Sequence, residues 1–147
     1  MSNVLRNNER STQAVTHVFR LLPLQDLKKS ILEFAKANGI KAAGVITCVG
    51  SLEQINLRFA NQKQGALKTG YYEILSLSGT ISDRAAHLHL SVADSDGITT
   101  GGHLLDDNLI YTTAEILIME LPDLEFIREI DPSYGYAELK IKKITPQ

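Results

Sequence analysis

The chain has 147 residues, enough for one domain with a sizeable core and little besides. Apolar residues make up 44% and charged residues 22%, an ordinary globular composition that argues against a disordered or fibrous chain. A net charge of −2 excludes a globally basic surface that holds nucleic acid or an anionic membrane by charge alone.

The polar opening "MSNVLRNNERSTQ" reads as a flexible tail over residues 1–14. It lacks an apolar signal core, and Arg6 and Arg10 by themselves do not make a DNA-binding arm. "VTHVFRLL" (15–22) alternates as a strand, with Val18, Arg20 and Leu22 on one face and His17, Phe19 and Leu21 on the other. In "PLQDLKKSILEFAKANGI" the period changes. Leu24, Leu27, Ile31, Phe34 and Ala35 fall at helical spacing, Pro23 suits the opening turn and Asn38-Gly39 the stop.

Nearly everything after that helix has strand character, with β-branched and aromatic residues between turn signals. The expected strands are 40–50, 51–60, 71–82, 86–94, 97–104, 111–121, 124–130 and 136–144. "NQKQGALKTG" (61–70) reads as a polar loop and "DPSYG" (131–135) as a turn. The fold class is therefore α+β, a mostly antiparallel sheet with one main flanking helix, in a single domain over 15–147. The strand 111–121 is apolar on both sides in its second half, which fits a central strand covered twice, by the core and by a helix or another subunit.

Cys48, the single cysteine, lies in "VITCVG" and reads as a small buried hydrophobe. With no disulfide to form and no run near the ~20 apolar residues of a membrane span, a cytoplasmic protein is expected.

Three of the four histidines fall in "HLHLSVADSDGITTGGH". His87 and His89, two apart on a strand, share a face. If Ser95-Asp96-Gly97 is a three-residue loop closed by Gly97 in the left-handed conformation, Asp94 pairs with Ile98 and His89 lands opposite His103. Three imidazoles then converge as a facial site of the kind zinc uses when a fourth position stays open. This register also keeps Leu88, Leu90 and Leu104 together on the other face. A two-residue Asp96-Gly97 turn instead sets His103 opposite Leu90, facing away, and a bulge at Gly101-Gly102 alters either count. The plain alternative is a pair of polar residues on a wet sheet face. His17 reads as a solvated or locally bonded side chain.

"GSLEQINLR", "YYEILSLSGTIS", "HLHLSVADSDGITTGGHL" and "YTTAEILI", in that order, resemble the PPC (plants and prokaryotes conserved) domain, in its stand-alone prokaryotic form. The resemblance covers about residues 15–144. It implies a homotrimer, a divalent metal, zinc, on the residues matching His87, His89 and His103, and a fold similar to that of acetolactate decarboxylase. Plant members generally lack these histidines, and their DNA contact is attributed to an AT-hook with an Arg-Gly-Arg-Pro core. This chain contains no such tetrapeptide.

Two functions follow. One is a metal-binding, trimeric regulatory module with a DNA-associated role and a small-molecule ligand at the metal. Lys28-Lys29 and Lys140, Lys142 and Lys143 give that role little electrostatic support, since such clusters read as solvated faces. The other is a metal-dependent enzyme, of decarboxylase or hydrolase type, acting on a small carbonyl or ester substrate. Glu115 in "TTAEILIME" is its candidate acid/base and Arg58 in "INLRFA" its candidate anion-orienting group. There is no Gly-x-Ser-x-Gly elbow and no phosphate-binding glycine loop.

Overall fold

The computed structural model describes residues 13–144; the expected tail, apart from Gln13 and Ala14, lies outside the described residues. The elements run β1 (Val15–Leu21), α1 (Leu27–Ala37), β2 (Ala43–Arg58), β3 (Ala66–Ile81), β4 (Ala86–Ala93), β5 (Thr99–Leu104), β6 (Leu109–Glu120), β7 (Leu124–Ile130) and β8 (Ala137–Lys143). The expected α+β class, mostly antiparallel sheet with one helix, is observed.

The helix starts later than its apolar spacing implies. Asp26 is the N-cap, and its Oδ1 accepts the Lys29 N–H at 2.8 Å. A carboxylate satisfies an otherwise unpaired amide of the first turn, which Pro23 cannot do. Leu24 falls in the preceding turn, at φ +67° and 68% exposed, instead of on the buried helical stripe. That stripe is Leu27, Ile31 and Ala35, with Phe34 stacked on Phe19 of β1 at 4.0 Å between ring centroids. At the other end Asn38 and Gly39 (φ +64°) close the helix as expected. Ile40, fully buried just beyond, donates its amide to Ala35 O at 2.9 Å.

Two strand boundaries also move. Residues 40–50 and 51–60 do not form separate strands; β2 is one 16-residue strand, bent by register shifts against β6 around Val45/Thr47 and Gly50/Leu52. Bulges let a long strand change direction without a turn. The expected loop 61–70 is shorter, because β3 begins at Ala66, where it pairs with Leu57. Polar residues such as Lys68 and Thr69 enter the ladder because their side chains face water while their backbone pairs with β2.

The main sheet has the order β1-β6-β2-β3-β4-β5 with antiparallel neighbours. β5 also pairs with the end of β2 through Leu57↔Leu104 and Arg58↔His103, which curls β2 to β5 into a closed ring. Its interior is filled by Leu52, Leu57, Leu88, Leu90 and Leu104, each at most 2% exposed. Cys48 is buried in the same core, where loss of hydration pushes its thiol pKa up to about 12.

β6 covers only one of its apolar sides. Ile116 and Ile118 are fully buried, whereas Met119 is exposed and Leu117 half-buried. Val18, Leu117 and Thr47 form one cross-strand row of this outer face, and Arg20, Glu115 and Val49 the next. Ile46, Val49 and Leu75 are more than half exposed on the same sheet.

β7 and β8 form a separate two-stranded ribbon. It is tied to the sheet by Phe126 N–H to Lys41 O at 3.0 Å and by Arg128 Nη2 to Thr80 Oγ1 at 3.0 Å. No helix among the described residues is long and apolar enough to cross a membrane.

Candidate metal centre

The β4–β5 hairpin turns at Gly97, which has φ +76° and donates its amide to Asp94 O at 2.9 Å. The Asp94 carboxylate accepts the amides of Asp96 (3.0 Å) and Ile98 (2.9 Å), and Asp94 N–H reaches Ile98 O. One side chain thereby organises the whole reversal. Of the two registers open to the sequence, the three-residue loop is the one adopted: Ala93 pairs with Thr99, Leu90 with Gly102 and His89 with His103.

The two adjacent glycines do not shift this register. They make room instead. A Cβ on Gly101 would lie 2.9 Å from Leu90 O, and one on Gly102 would lie 2.8 Å from Arg58 O. β5 is flanked by β4 on one side and by the end of β2 on the other, so any side chain there would push it out of the ring. Gly79 has the same role on β3. Its φ is +140°, and a Cβ there would sit 1.9 Å from the carbonyl oxygen of His87.

His87, His89 and His103 offer one ring nitrogen each, all within 4.8 Å of one another. Their ring centroids are 5.1, 5.1 and 5.7 Å apart. A tetrahedral ion with bonds of about 2.0–2.1 Å draws its nitrogens to about 3.3 Å, a contraction within reach of small side-chain rotations. Burial, followed by the nearby Arg128, lowers the His87 pKa. Burial, followed by Arg58, lowers that of His103 to about 4. Both rings are therefore neutral at pH 7, the form in which imidazole binds a metal. An all-nitrogen donor set suits zinc and its late first-row neighbours and is a poor one for calcium or magnesium.

The triad opens onto a cavity of about 520 Å³ that Arg58, Phe59, Lys63 and Tyr136 also line. Arg58, a residue singled out from the sequence, is thus at the site, beside its ladder partner His103. Glu115 is not. It is exposed on the outer face between Arg20 and Val49, across the sheet from the core, and within one chain it does not reach the histidines. The apolar context of "TTAEILIME" is misleading here, because alternation sends Glu115 out and its neighbours Ala114 and Ile116 in. His17 is locally bonded, 2.6 Å from Glu120 Oε2. Lys28 and Lys29 pair with Asp106 and Asp107, both at 3.1 Å.

Two residues at or behind the site escape the sequence reading. Arg128 reaches it from β7; its signal is a charge in the apolar half of the alternation Leu124, Phe126, Arg128. Asn108 is fully buried, takes the Asn56 amide at 2.8 Å and donates to Leu105 O at 2.7 Å. It clamps the β5–β6 connection onto the end of β2 that carries Arg58.

The sequence profile of the Plants and Prokaryotes Conserved (PCC) domain matches residues 9–122. The chain belongs to this family. Over 125 residues this PCC chain is 47% identical to the bifunctional protein GlmU of Synechococcus sp. (strain JA-3-3Ab), a match covering 85% of this chain and 20% of that protein. The PCC chain thus spans about a fifth of the length of the curated relatives it matches. A hypothetical protein from Salmonella cholerae-suis superposes with TM-score 0.89 at 37% identity, over 91% of this chain and 97% of that one. A metal-containing protein from Archaeoglobus fulgidus superposes with TM-score 0.76 at 25% identity, over 88% and 96%.

Proposed function

We propose that His87, His89 and His103 hold a divalent metal ion, zinc by donor chemistry, with a coordination position left for a small-molecule ligand. The protein acts as a homotrimeric, cytoplasmic regulatory or ligand-sensing PCC module, with residues 15–147 working as one domain. The observation that carries this reading is the convergence of three imidazoles, one ring nitrogen each within 4.8 Å of the others, on an open cavity. Structural zinc is ordinarily closed by four protein ligands, so a three-ligand set facing a cavity favours exchange with solvent or ligand. The metal-containing Archaeoglobus neighbour agrees with it.

The trimer draws support from the outer sheet face. Val18 and Val49 leave there apolar side chains that the other described residues do not cover, and subunit contact is the ordinary use of such a surface. A DNA-associated role draws less, since the helix lysines are already paired with aspartates and the net charge is −2.

One observation favours a second reading, a metal-dependent enzyme related in architecture to acetolactate decarboxylase. Arg58 lies at the cavity beside His103, where a guanidinium orients a carboxylate or stabilises developing negative charge. A metal in this site would polarise a carbonyl or lower the pKa of a bound water.

Elemental analysis of wild type and His89→Ala tests the metal. About one zinc per wild-type chain and none in the variant is expected; a wild type that takes up no zinc overturns the reading. Turnover of small ester or keto-acid substrates that stops with chelator selects the enzyme over the sensor.

A further inference from the structure

A second cavity, about 430 Å³, adjoins the triad on the side of the β7–β8 ribbon. It takes His87 and His103 from the sheet, Arg58 from the end of β2, and Arg128 and Glu138 from the ribbon. The sheet and the ribbon thus contribute one guanidinium each to a single recess. Arg128 is held in place: its Nη2 donates to Thr80 Oγ1 at 3.0 Å, and Thr80 is the ladder partner of His87. A guanidinium fork has five donors, so this one bond leaves the rest of its edge free for a ligand. Among the described residues Glu138 is the one carboxylate lining the recess; it is exposed, and the two cations outnumber it. The remaining wall is Tyr136 together with the short apolar side chains of Ala85, Ala86 and Ala137.

From this geometry we infer that the recess is an anion pocket, selective for a small organic acid. Its oxyanion head lies between Arg58 and Arg128 and its short apolar body lies along the alanine wall. The inference rests on the metal reading for one detail alone, that an oxygen of the ligand can also occupy the open coordination position. Two guanidiniums lining one recess, that of Arg128 held by Thr80, are an arrangement that recognises a carboxylate or a phosphoryl group. A neutral ligand would leave both cations desolvated and unpaired, which disfavours it. Arg128 is therefore a specificity residue supplied by a segment outside the main sheet. The ribbon forms one wall of the site as well as an edge of the fold.

Titration calorimetry on the zinc-loaded protein tests this with three probes of one shape: benzoate, phenyl phosphate and the neutral benzamide. Saturable binding of benzoate or phenyl phosphate is expected, with benzamide at least about 10-fold weaker; whichever anion binds more tightly identifies the head group. Arg58→Gln and Arg128→Gln should each weaken the anion at least about 10-fold while zinc content and melting temperature stay at wild-type values. Thr80→Val, which frees the Arg128 head without removing it, should weaken it less. Equal binding of benzamide and the anions, or anion binding unchanged in both arginine variants, overturns the inference. If the wild type takes up no zinc, the metal reading falls by itself. The same titration on the zinc-free protein then decides the pocket, since two arginines still bind the anion, more weakly, and lose it on substitution.

Discussion

His89 and His103 are direct cross-strand partners on β4 and β5, with ring centroids 5.7 Å apart, and His87 completes the triangle at 5.1 Å from each. His89 is exposed, so its loss leaves the core intact. His89→Ala is expected to reduce zinc affinity by more than about 100-fold, a larger loss than outer-shell changes give, with a melting temperature of the zinc-free protein near wild type. Competition with a chromophoric chelator measures the first and calorimetry the second.

Gly102 is packed against the Arg58 carbonyl. Gly102→Ala forces β5 off the end of β2, which costs about 1–3 kcal/mol as overpacking and also widens the histidine triangle. The expected result is a lower denaturation midpoint together with weaker zinc binding, although no ligand is touched. Gly97→Ala, at φ +76° with no atom within 4 Å of the added Cβ, should strain the turn without that clash.

Cys48 titrates at about 12 in the folded chain against an ordinary value of 9.0. Between those values the unfolded chain has lost a proton that the folded chain keeps, so folding stability falls as pH rises above 9 and levels off beyond 12. The wild type should show this slope relative to Cys48→Ala in alkaline denaturation series. A disulfide reagent at pH 8 should leave the folded thiol untouched and modify it on unfolding.

Val49 is 57% exposed on the outer face and pairs with Glu115. Val49→Glu sets two carboxylates side by side on the surface assigned to subunit contact. Analytical ultracentrifugation should show a trimer for wild type and smaller species for the variant, with circular dichroism unchanged. A wild-type monomer at tens of micromolar refutes the assembly.

Asp26 caps α1 through Lys29 N–H and also accepts the amides of Asp107 and Asn108. Asp26→Ala loses the cap, worth about 0.5–2 kcal/mol. It also loosens the β5–β6 connection that leads from His103. Urea denaturation should show the loss, and Asp26→Asn should recover much of it.

The histidine register was legible in the sequence as one of two choices, because the loop length and Gly97 define which residues can oppose each other. Strand alternation correctly sorted the side chains of β1 and β4 into two faces, and the helix stop at Asn38-Gly39 was also legible. Those are local properties: side-chain direction follows from backbone period and needs no partner. The helix start, the continuity of β2 and the early start of β3 were not legible. They depend on which segment lies alongside: the Asp26 carboxylate also reaches the β5–β6 loop, and Ala66 joins a strand only because Leu57 is opposite.

Sequence alone determined that three imidazoles could share a face and that Glu115 and Arg58 were worth testing. Tertiary structure alone placed those two, Arg58 in the lining of the histidine cavity and Glu115 on the opposite, outer face of the same chain. Which side of a sheet becomes the site depends on the closure of β5 onto β2. Likewise, Arg128 reaches the histidines only because the ribbon folds back beside β3. Contacts between segments far apart in the chain are set by packing, and periodicity carries no record of them.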